Sequence, residues 1–330
     1  MSKAVTVQIV TYNNLPDLPS CLASVAKQTF CDVDIIIVDN ASDDGSLDFV
    51  RANYPNIKII ANQKNMGFAA GHNQALRVSQ SPFVLVLNPD IYLEANFIAE
   101  LVSNMETNSL IGSLSGKLLK VKGDLKPENF TDIIDTTGIE LLKNRQAIDR
   151  GQGQDDQGQY DNKSEIFGAS GAAAFYRRQA LLDIAWKEEI FDEHFFSYKE
   201  DVDLAWRLRL RDWKSYFVPQ AVGYHRRTIS QLTGKIKQDR SKRSDRANYL
   251  SYRNHLFLIY KNELLSNLFW WFPQIAWYEL RKFVYLLIFE PFTLKGLNDF
   301  SRKAGQMKNK RKHIQSRKKA SLKTIRSWFK

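Results

Sequence analysis

Residues 83–90 read Phe83-Val84-Leu85-Val86-Leu87-Asn88-Pro89-Asp90, five apolar residues closed by an amide, a proline and a carboxylate. So short an apolar run, bounded by a turn signal, reads as a buried strand rather than a helix. The same unit recurs upstream. The run at 5–10 closes on Thr11-Tyr12-Asn13-Asn14, the β-branched run at 34–38 closes on Asp39-Asn40, and 57–61 supplies a third strand. Between these runs, residues 15–28 carry apolar side chains at helical spacing (Leu18, Leu22, Val25), with Asp17 placed to cap them. Helices are also expected at 46–53, after the turn Asp43-Asp44-Gly45, and at 72–79, after the glycine-bearing loop 65–71. Strands alternating with helices predict an α/β fold, Rossmann-like, with a mostly parallel central sheet flanked by crossover helices. In such sheets ligands bind beyond the carboxyl ends of the strands. Thr11, Asp39 and Asp90 all stand at those ends.

Downstream the periodicity weakens from 112 to 165, and residues 149–163, which contain no aliphatic side chain, are expected to form a mobile loop. Structure is expected to resume around Gly168-Ala169-Ser170-Gly171. Residues 191–211 mix aromatics with Glu200, Asp201 and Asp203, and a last strand at 215–218 leads to Pro219 and His225.

The chain has 330 residues, enough for a large domain plus an extension, and its 44% hydrophobic content excludes wholesale disorder. Two cysteines, Cys21 and Cys31, exclude a disulfide framework and a cysteine zinc site. The N-terminal residues lack the apolar stretch of a signal peptide, so a reducing, cytoplasmic compartment is expected. Charge is unevenly placed. Residues 300–330 hold twelve Lys/Arg and no acid, which leaves the first 299 residues 35 basic against 36 acidic. A neutral body argues against a specific nucleic-acid binder, and a basic tail points to docking on an anionic partner.

Each chemistry-bearing residue has a bland alternative. Asp39 can accept from a base or ribose, or serve an Asx turn. The 65–71 loop can admit a phosphate to a helix N-terminus, or be only a tight loop. Asp90 can hold a hard divalent cation beside diphosphate oxygens, or close a turn. Glu200 and Asp201 diverge by about 100° on a helix, so one can face a cleft while the other is structural; equally, acids favour any helix N-terminus. His225 is a lone imidazole after a strand, a ligand or a structural residue.

Order and spacing decide between these readings. Thr11-Tyr12-Asn13, Asp39 through Gly45, Asn65-x-Gly67-Phe68-Ala69-x-Gly71-x-Asn73, Leu87-Asn88-Pro89-Asp90, Gly168 through Gly171, the Phe191–Arg207 block with Glu200-Asp201-x-Asp203-Leu204-x-Trp206-Arg207, and His225 follow one another. The set resembles bacterial family 2 glycosyltransferases of the GT-A fold, from about residue 5 to 226, and Arg150-Gly151-Gln152-Gly153 resembles the rhamnosyltransferase-like branch.

The resemblance implies an inverting, Mg²⁺- or Mn²⁺-dependent transfer from a nucleotide-diphosphate sugar. L-rhamnose from dTDP-rhamnose is the first expectation for the donor and a UDP-hexose the second. By the resemblance, Asp201 is the general base, Asp90 and His225 are metal ligands, and Asp39 meets the nucleobase. Thr11, Tyr12, Asn13, Asn65, Gly67, Asn73 and Asn88 are expected on the donor nucleotide. Asn88 stands where many relatives carry an Asp. Gly171, Glu200, Asp203, Trp206 and Arg207 are expected around the acceptor or behind it, the last two mainly in packing. Asp212 departs from a glycine common in relatives. A nucleotide-sugar binder without activity and a basic-tail nucleic-acid binder are the competing classes.

The expected domains are a GT-A catalytic domain at 1–226 (nucleotide half 1–111, acceptor half 112–226) and a helical, amphipathic and polybasic extension at 227–330. Within the extension the uncharged run 264–278 is interrupted by Pro273 and is shorter than the roughly 20 residues a spanning helix needs. The amphipathic segment 264–291 is therefore expected to lie on the inner face of the cell membrane near a lipid-linked saccharide acceptor, with the basic tail as a second anchor. The alternatives for 264–291 are packing on the catalytic domain or a homodimer interface.

Overall fold

The computed structural model describes residues 3–162, 164–227, 240 and 244–330. The basic stretch at 226–246 lies mostly outside them.

Strands β1 (Val5–Thr11), β2 (Val33–Asp39), β3 (Lys58–Ala61) and β4 (Phe83–Leu87) run parallel in the order β3-β2-β1-β4. Their register sets Thr11 directly beside Asp39. Beyond β4 the sheet turns mixed. β5 (Ile91–Leu93), β6 (Ile111–Val121), β7 (Phe130–Thr136), β10 (Ser164–Glu165), β11 (Ala173–Arg177) and β12 (Lys214–His225) extend it, while β8 (Ile139–Leu141) and β9 (Ala147–Asp149) form a separate hairpin. The crossover helices are α1 (Leu18–Ala26), α2 (Ser46–Asn53), α3 (Gly67–Val78) and α4 (Phe97–Glu106).

Strand alternation sorts the core. Leu85 and Leu87 point with Val7 and Ile9 to the α1 and α4 side. Val84 and Val86 point to the other side, where Ala69, Leu76, Leu204 and Leu208 pack. That second side brings in α5 (Arg178–Asp183) and α6 (Glu200–Leu210). Several local expectations shift. Asp17 precedes α1 but makes no capping bond; its carboxylate pairs with Arg226 at 2.6 Å. Helix α3 begins five residues earlier than its spacing suggests. Asp212 takes φ +69°, the left-handed geometry that explains a glycine preference there.

Residues 150–162 are irregular but tied down. Gly153 N–H donates to Ile134 O at 2.8 Å, and Lys117 Nζ bonds Asp156 at 2.7 Å and Asp161 at 2.5 Å.

The C-terminal third departs most from expectation. Helices α7 (Asp245–Asn262), α8 (Leu265–Trp270), α9 (Phe272–Phe289), α10 (Lys295–Ser316) and α11 (Leu322–Arg326) follow one another. Phe257, Leu258, Met307, Ile314, Ile325 and Phe329 share one apolar cluster with Phe195, Val202, Trp206 and Leu210. Lys319 and Ala320 N–H donate to Leu210 O at the end of α6, and Lys330 N–H donates to Leu141 O in β8. The basic tail is thus a folded part of the body, not a free polycation. Burying each such Leu, Ile, Met or Phe side chain contributes roughly 1.5–3 kcal/mol, which easily outweighs dilute charge repulsion on the outer face. Among the described residues, no helix is long and apolar enough to cross a membrane.

Candidate active site

At the carboxyl ends of β1 and β2, Thr11 is buried and its carbonyl accepts from Asn40 N–H at 2.9 Å. Asn13 (φ +56°) exchanges two bonds with Asp43, at 2.8 and 3.0 Å, and Tyr12 is 49% exposed beside it. Asp39 is buried; one carboxylate oxygen accepts from Ser42 N–H at 3.1 Å, and the other has no partner. An orphaned buried carboxylate oxygen is costly unless a ligand donor reaches it, so Asp39 fits a base or ribose donor.

Two residues expected on the nucleotide are spent elsewhere. Asn73 is buried; its amide donates to Phe191 O and Glu193 Oε1 and accepts from Ile190 and Phe191 N–H, which uses its full bonding capacity. It staples the chain ahead of α6 instead of facing a donor. Gly67 (φ +84°) gives its N–H to Asn65 Oδ1, and a Cβ on it would lie 2.6 Å from Phe196. Its bare face is needed for that contact, not for phosphate.

The mixed half of the sheet assembles a second group. β12 pairs antiparallel with β5, placing His225 opposite Ile91 and next to Asp90. His225 Nε2 lies 3.4 Å from Asp90, and its Nδ1 bonds Asp135 at 2.7 Å. Arg227 bridges Asp135 (3.2 Å) and Asp149 (2.9 Å). Burial disfavours the imidazolium, but the charges of Asp90 and Asp135 overcome it and raise His225 to about 10. A histidine fixed through Nδ1 by a carboxylate, with Nε2 facing a second carboxylate, would supply the donor set of a carboxylate–histidine–metal site once a cation displaces the Nε2 proton. Lys120 Nζ is buried near this group without a hydrogen-bond partner, a further place for an anionic oxygen. Asn88 stands half-buried at the end of β4. Asp135 escaped sequence reasoning because β7 lies where periodicity fades.

Glu200 and Asp201 open α6. The three preceding non-glycine residues Phe196, Tyr198 and Lys199 hold φ of +63°, +74° and +69°, conformations that cost about 1–3 kcal/mol each and persist only when clamped. Asn254 on α7 supplies the clamp, its amide donating to Phe195, Ser197 and Tyr198 carbonyls at 2.8–2.9 Å. Asp201 accepts from Gly171 N–H at 2.9 Å and Val202 N–H at 2.8 Å, and a Cβ at Gly171 would sit 3.0 Å from its Cβ. Burial, with Asp149 adding to it, raises the Asp201 carboxyl. Glu200 is buried with one oxygen unpartnered; burial first and the Asp201 charge second push it up to about 8. Only Asp201 of the pair lines a cavity of about 1020 Å³, together with Asp149, Lys199 and one side of α9. A carboxylate with a raised pKa facing a cavity can take a proton from a hydroxyl bound there.

Asp203, Trp206 and Arg207 do not reach that cavity. Asp203 binds Arg207 (2.9 Å), Asn262 (2.8 Å) and Lys261 (2.9 Å); Arg207 also holds the carbonyls of Ile184 and Ile190. Trp206 is fully buried against Phe167 and Phe329.

A second acid–histidine cluster lies away from the strand ends. Ligand atoms of Glu189, Asp192 and His194 fall within 4.8 Å of one another. Lys310 from the basic tail already fills it, 2.7 Å from both carboxylates and 3.3 Å from His194, and Lys261 bonds Asp192 at 2.5 Å. Burial alone would raise Asp192, but Lys261, His194 and Lys310 hold it well below the usual carboxylate range. An ammonium already completes this group, so it does not fit a cation.

The sequence profile of Glycosyl transferase family 2 matches residues 6–184. The N-acetylglucosaminyl-diphospho-decaprenol L-rhamnosyltransferase of Mycobacterium tuberculosis is 25% identical over 291 residues, covering 84% of this chain and 89% of the relative. Two solved structures share the fold. GalNAc-T7 with UDP, GalNAc and Mn²⁺ gives a TM-score of 0.57 at 13% identity, over 79% of this chain and 48% of that one. The mannosyltransferase of Pyrobaculum calidifontis with GDP-Man and Mn²⁺ gives 0.52 at 16% identity, over 92% and 76%.

Proposed function

Because this chain belongs to glycosyl transferase family 2, we propose that it moves a sugar, with inversion, from a nucleotide-diphosphate donor to a hydroxyl of a lipid-linked glycan. The observation that carries the reading is the pairing of two unlike acid sites. One is a metal-type Asp90–His225 pair at the strand ends; the other is the raised carboxyl of Asp201 on a large cavity. The Arg227–Asp149 bridge links them, since Asp149 lines the same cavity. In this reading Thr11, Tyr12, Asn13, Asp39 and Asn65 surround the nucleotide. Asp90 and His225 would hold Mg²⁺ or Mn²⁺, which when bound would supply positive charge against a leaving diphosphate. Asp201 takes the hydroxyl proton as the oxygen attacks, and Gly171 N–H keeps the carboxylate aimed. Asp135 fixes the His225 ring through Nδ1.

L-rhamnose from dTDP-rhamnose is the first donor to try, on the likeness to the mycobacterial enzyme. Attachment to the inner face of the cell membrane is part of the proposal, through α8 and α9 rather than through a loose tail. Phe269, Trp270, Trp277, Leu287 and Ile288 are 57–76% exposed there, and aromatics of this kind favour the headgroup level. The test is a transfer assay with dTDP-rhamnose and UDP-hexoses, with and without Mn²⁺, on a prenyl-diphosphate-linked N-acetylglucosamine. Metal-dependent product, lost in Asp201→Asn, is expected. Absence of product from every donor with the folded chain would contradict the reading.

A further inference from the structure

The cavity that holds Asp201 is unequal along its length. Asp201 and Asp149 stand among its lining residues, and so do four cations, Lys199, Arg240, Arg281 and Lys282. One helix contributes most of the remaining wall. Trp277, Leu280, Val284 and Ile288 of α9 recur at helical spacing along it and are 45–63% exposed.

Lys282 is the unusual member. Only 7% of it is exposed, it enters no ion pair among the described residues, and its ammonium lies 4.9 Å from the Tyr252 ring and 5.4 Å from the Tyr278 ring. Glu279, the acid one turn away, is committed to His255 at 2.6 Å. Arg240 is committed to Glu290. Arg281 is exposed and unpaired among the described residues. Burial pulls Lys282 down to about 8, Glu279 opposing. Glu279 is the acid whose charge acts on this ammonium, and it is shared with the His255 hydrogen bond, so an anion entering the cavity would add a second counter-charge at Lys282.

We infer that this cavity seats an amphiphilic acceptor, its phosphate or diphosphate at Lys282 and Arg281 and its hydrocarbon chain along the Leu280–Val284–Ile288 side of α9. The occupant is a prenyl-type phosphate rather than a free anion, because Lys282 and Arg281 stand on the same helix as the apolar strip Leu280, Val284 and Ile288 that lines the cavity. The inference rests on the transferase reading for the role of Asp201, and it names which residues of the extension would choose the acceptor.

The test is calorimetry on the full chain, with the donor cleft saturated by nucleoside diphosphate and Mn²⁺. The probes are geranyl diphosphate, geraniol and inorganic pyrophosphate. Geranyl diphosphate should bind at least tenfold more tightly than either of the others. Lys282→Met should weaken it tenfold or more and leave nucleoside diphosphate binding unchanged, and Lys282→Arg should retain it. Should Lys282→Met fail to fold, Arg281→Gln, at an exposed position, should still weaken binding several-fold. Pyrophosphate binding as tight as geranyl diphosphate, or full-strength binding by Lys282→Met, or no binding by the wild type, would overturn the inference. The titration needs no turnover. A chain that binds geranyl diphosphate through Lys282 but transfers no sugar refutes the transferase reading alone. One that glycosylates the prenyl-diphosphate-linked N-acetylglucosamine and ignores geranyl diphosphate refutes this inference alone.

Discussion

Among the described residues, two clusters bring several acids to a histidine, and their fates differ. Asp90, His225 and Asp135 sit where β4 gives way to β5 and where β12 ends, with Asp90 15% exposed and Asp135 sealed behind the imidazole. Glu189, Asp192 and His194 sit ahead of α6 and are closed by Lys310 and Lys261. Both look alike as composition. What separates them is the cation that the fold delivers. In the second cluster lysines of the C-terminal helices complete the charge, so it acts as a staple between α6 and the extension. In the first, Arg227 reaches Asp135 from behind, and Asp90, 15% exposed, faces the histidine Nε2 at 3.4 Å with no lysine or arginine paired to it among the described residues. Residue type nominates a site; the partner brought by distant sequence decides whether it stays open.

The largest expected effect probes the open side. Asp201→Asn should lower kcat by about 10²–10⁴-fold, the usual worth of a positioned base, while donor binding and melting temperature hold. An amide removes a buried charge but keeps an acceptor for only one of the Gly171 and Val202 N–H groups, two effects on the melting temperature that oppose each other. Near-normal turnover in this variant, with loss in Glu200→Gln, would move the base one residue back.

The stapling cluster should respond in the opposite way. Lys310→Met leaves Glu189 and Asp192 short of a buried counter-charge, and breaking such a pair costs about 3–5 kcal/mol. Chemical denaturation should register that loss, and the fraction still folded should bind Mn²⁺ and nucleotide as before. Unchanged stability would mean that the basic tail is not the staple described here.

A smaller effect tests Glu200, whose carboxyl is raised from 4.5 to about 8. The folded state therefore keeps its proton where the unfolded state has lost it. The stability from this group is complete below about 4.5, declines between 4.5 and 8, and stays low above. Glu200→Gln should raise the melting temperature by a few degrees more at pH 8 than at pH 5. An equal shift at both values would show that Glu200 is ionised throughout.

How much of this was legible in the sequence follows the same contrast. Thr11, Asp39 and Asp90 could be located because parallel strands end in predictable places and their apolar runs are short. Asp201 and His225 were reached through motif order, not through any local property. Asn73 and Gly67 are placed on the nucleotide by motif resemblance, and nothing local reveals that Phe191 and Phe196 claim them. Twelve cations in 31 residues suggested a solvated tail. Yet Met307, Lys310 and Ile314 lie on one helical face, and all three are buried. That spacing was the available signal, and the charge average concealed it. Lys282 was invisible for a similar reason: burial of a lysine between two tyrosine rings depends on α7 and α9 meeting.

The most direct test is Mn²⁺ binding in the presence of nucleoside diphosphate, followed by electron paramagnetic resonance, for wild type, Asp90→Ala and Asp192→Asn. The account predicts that Asp90→Ala abolishes nucleotide-dependent Mn²⁺ binding and that folded Asp192→Asn retains it. Retention in Asp90→Ala together with loss in Asp192→Asn would place the cation in the lysine-filled cluster and contradict the account.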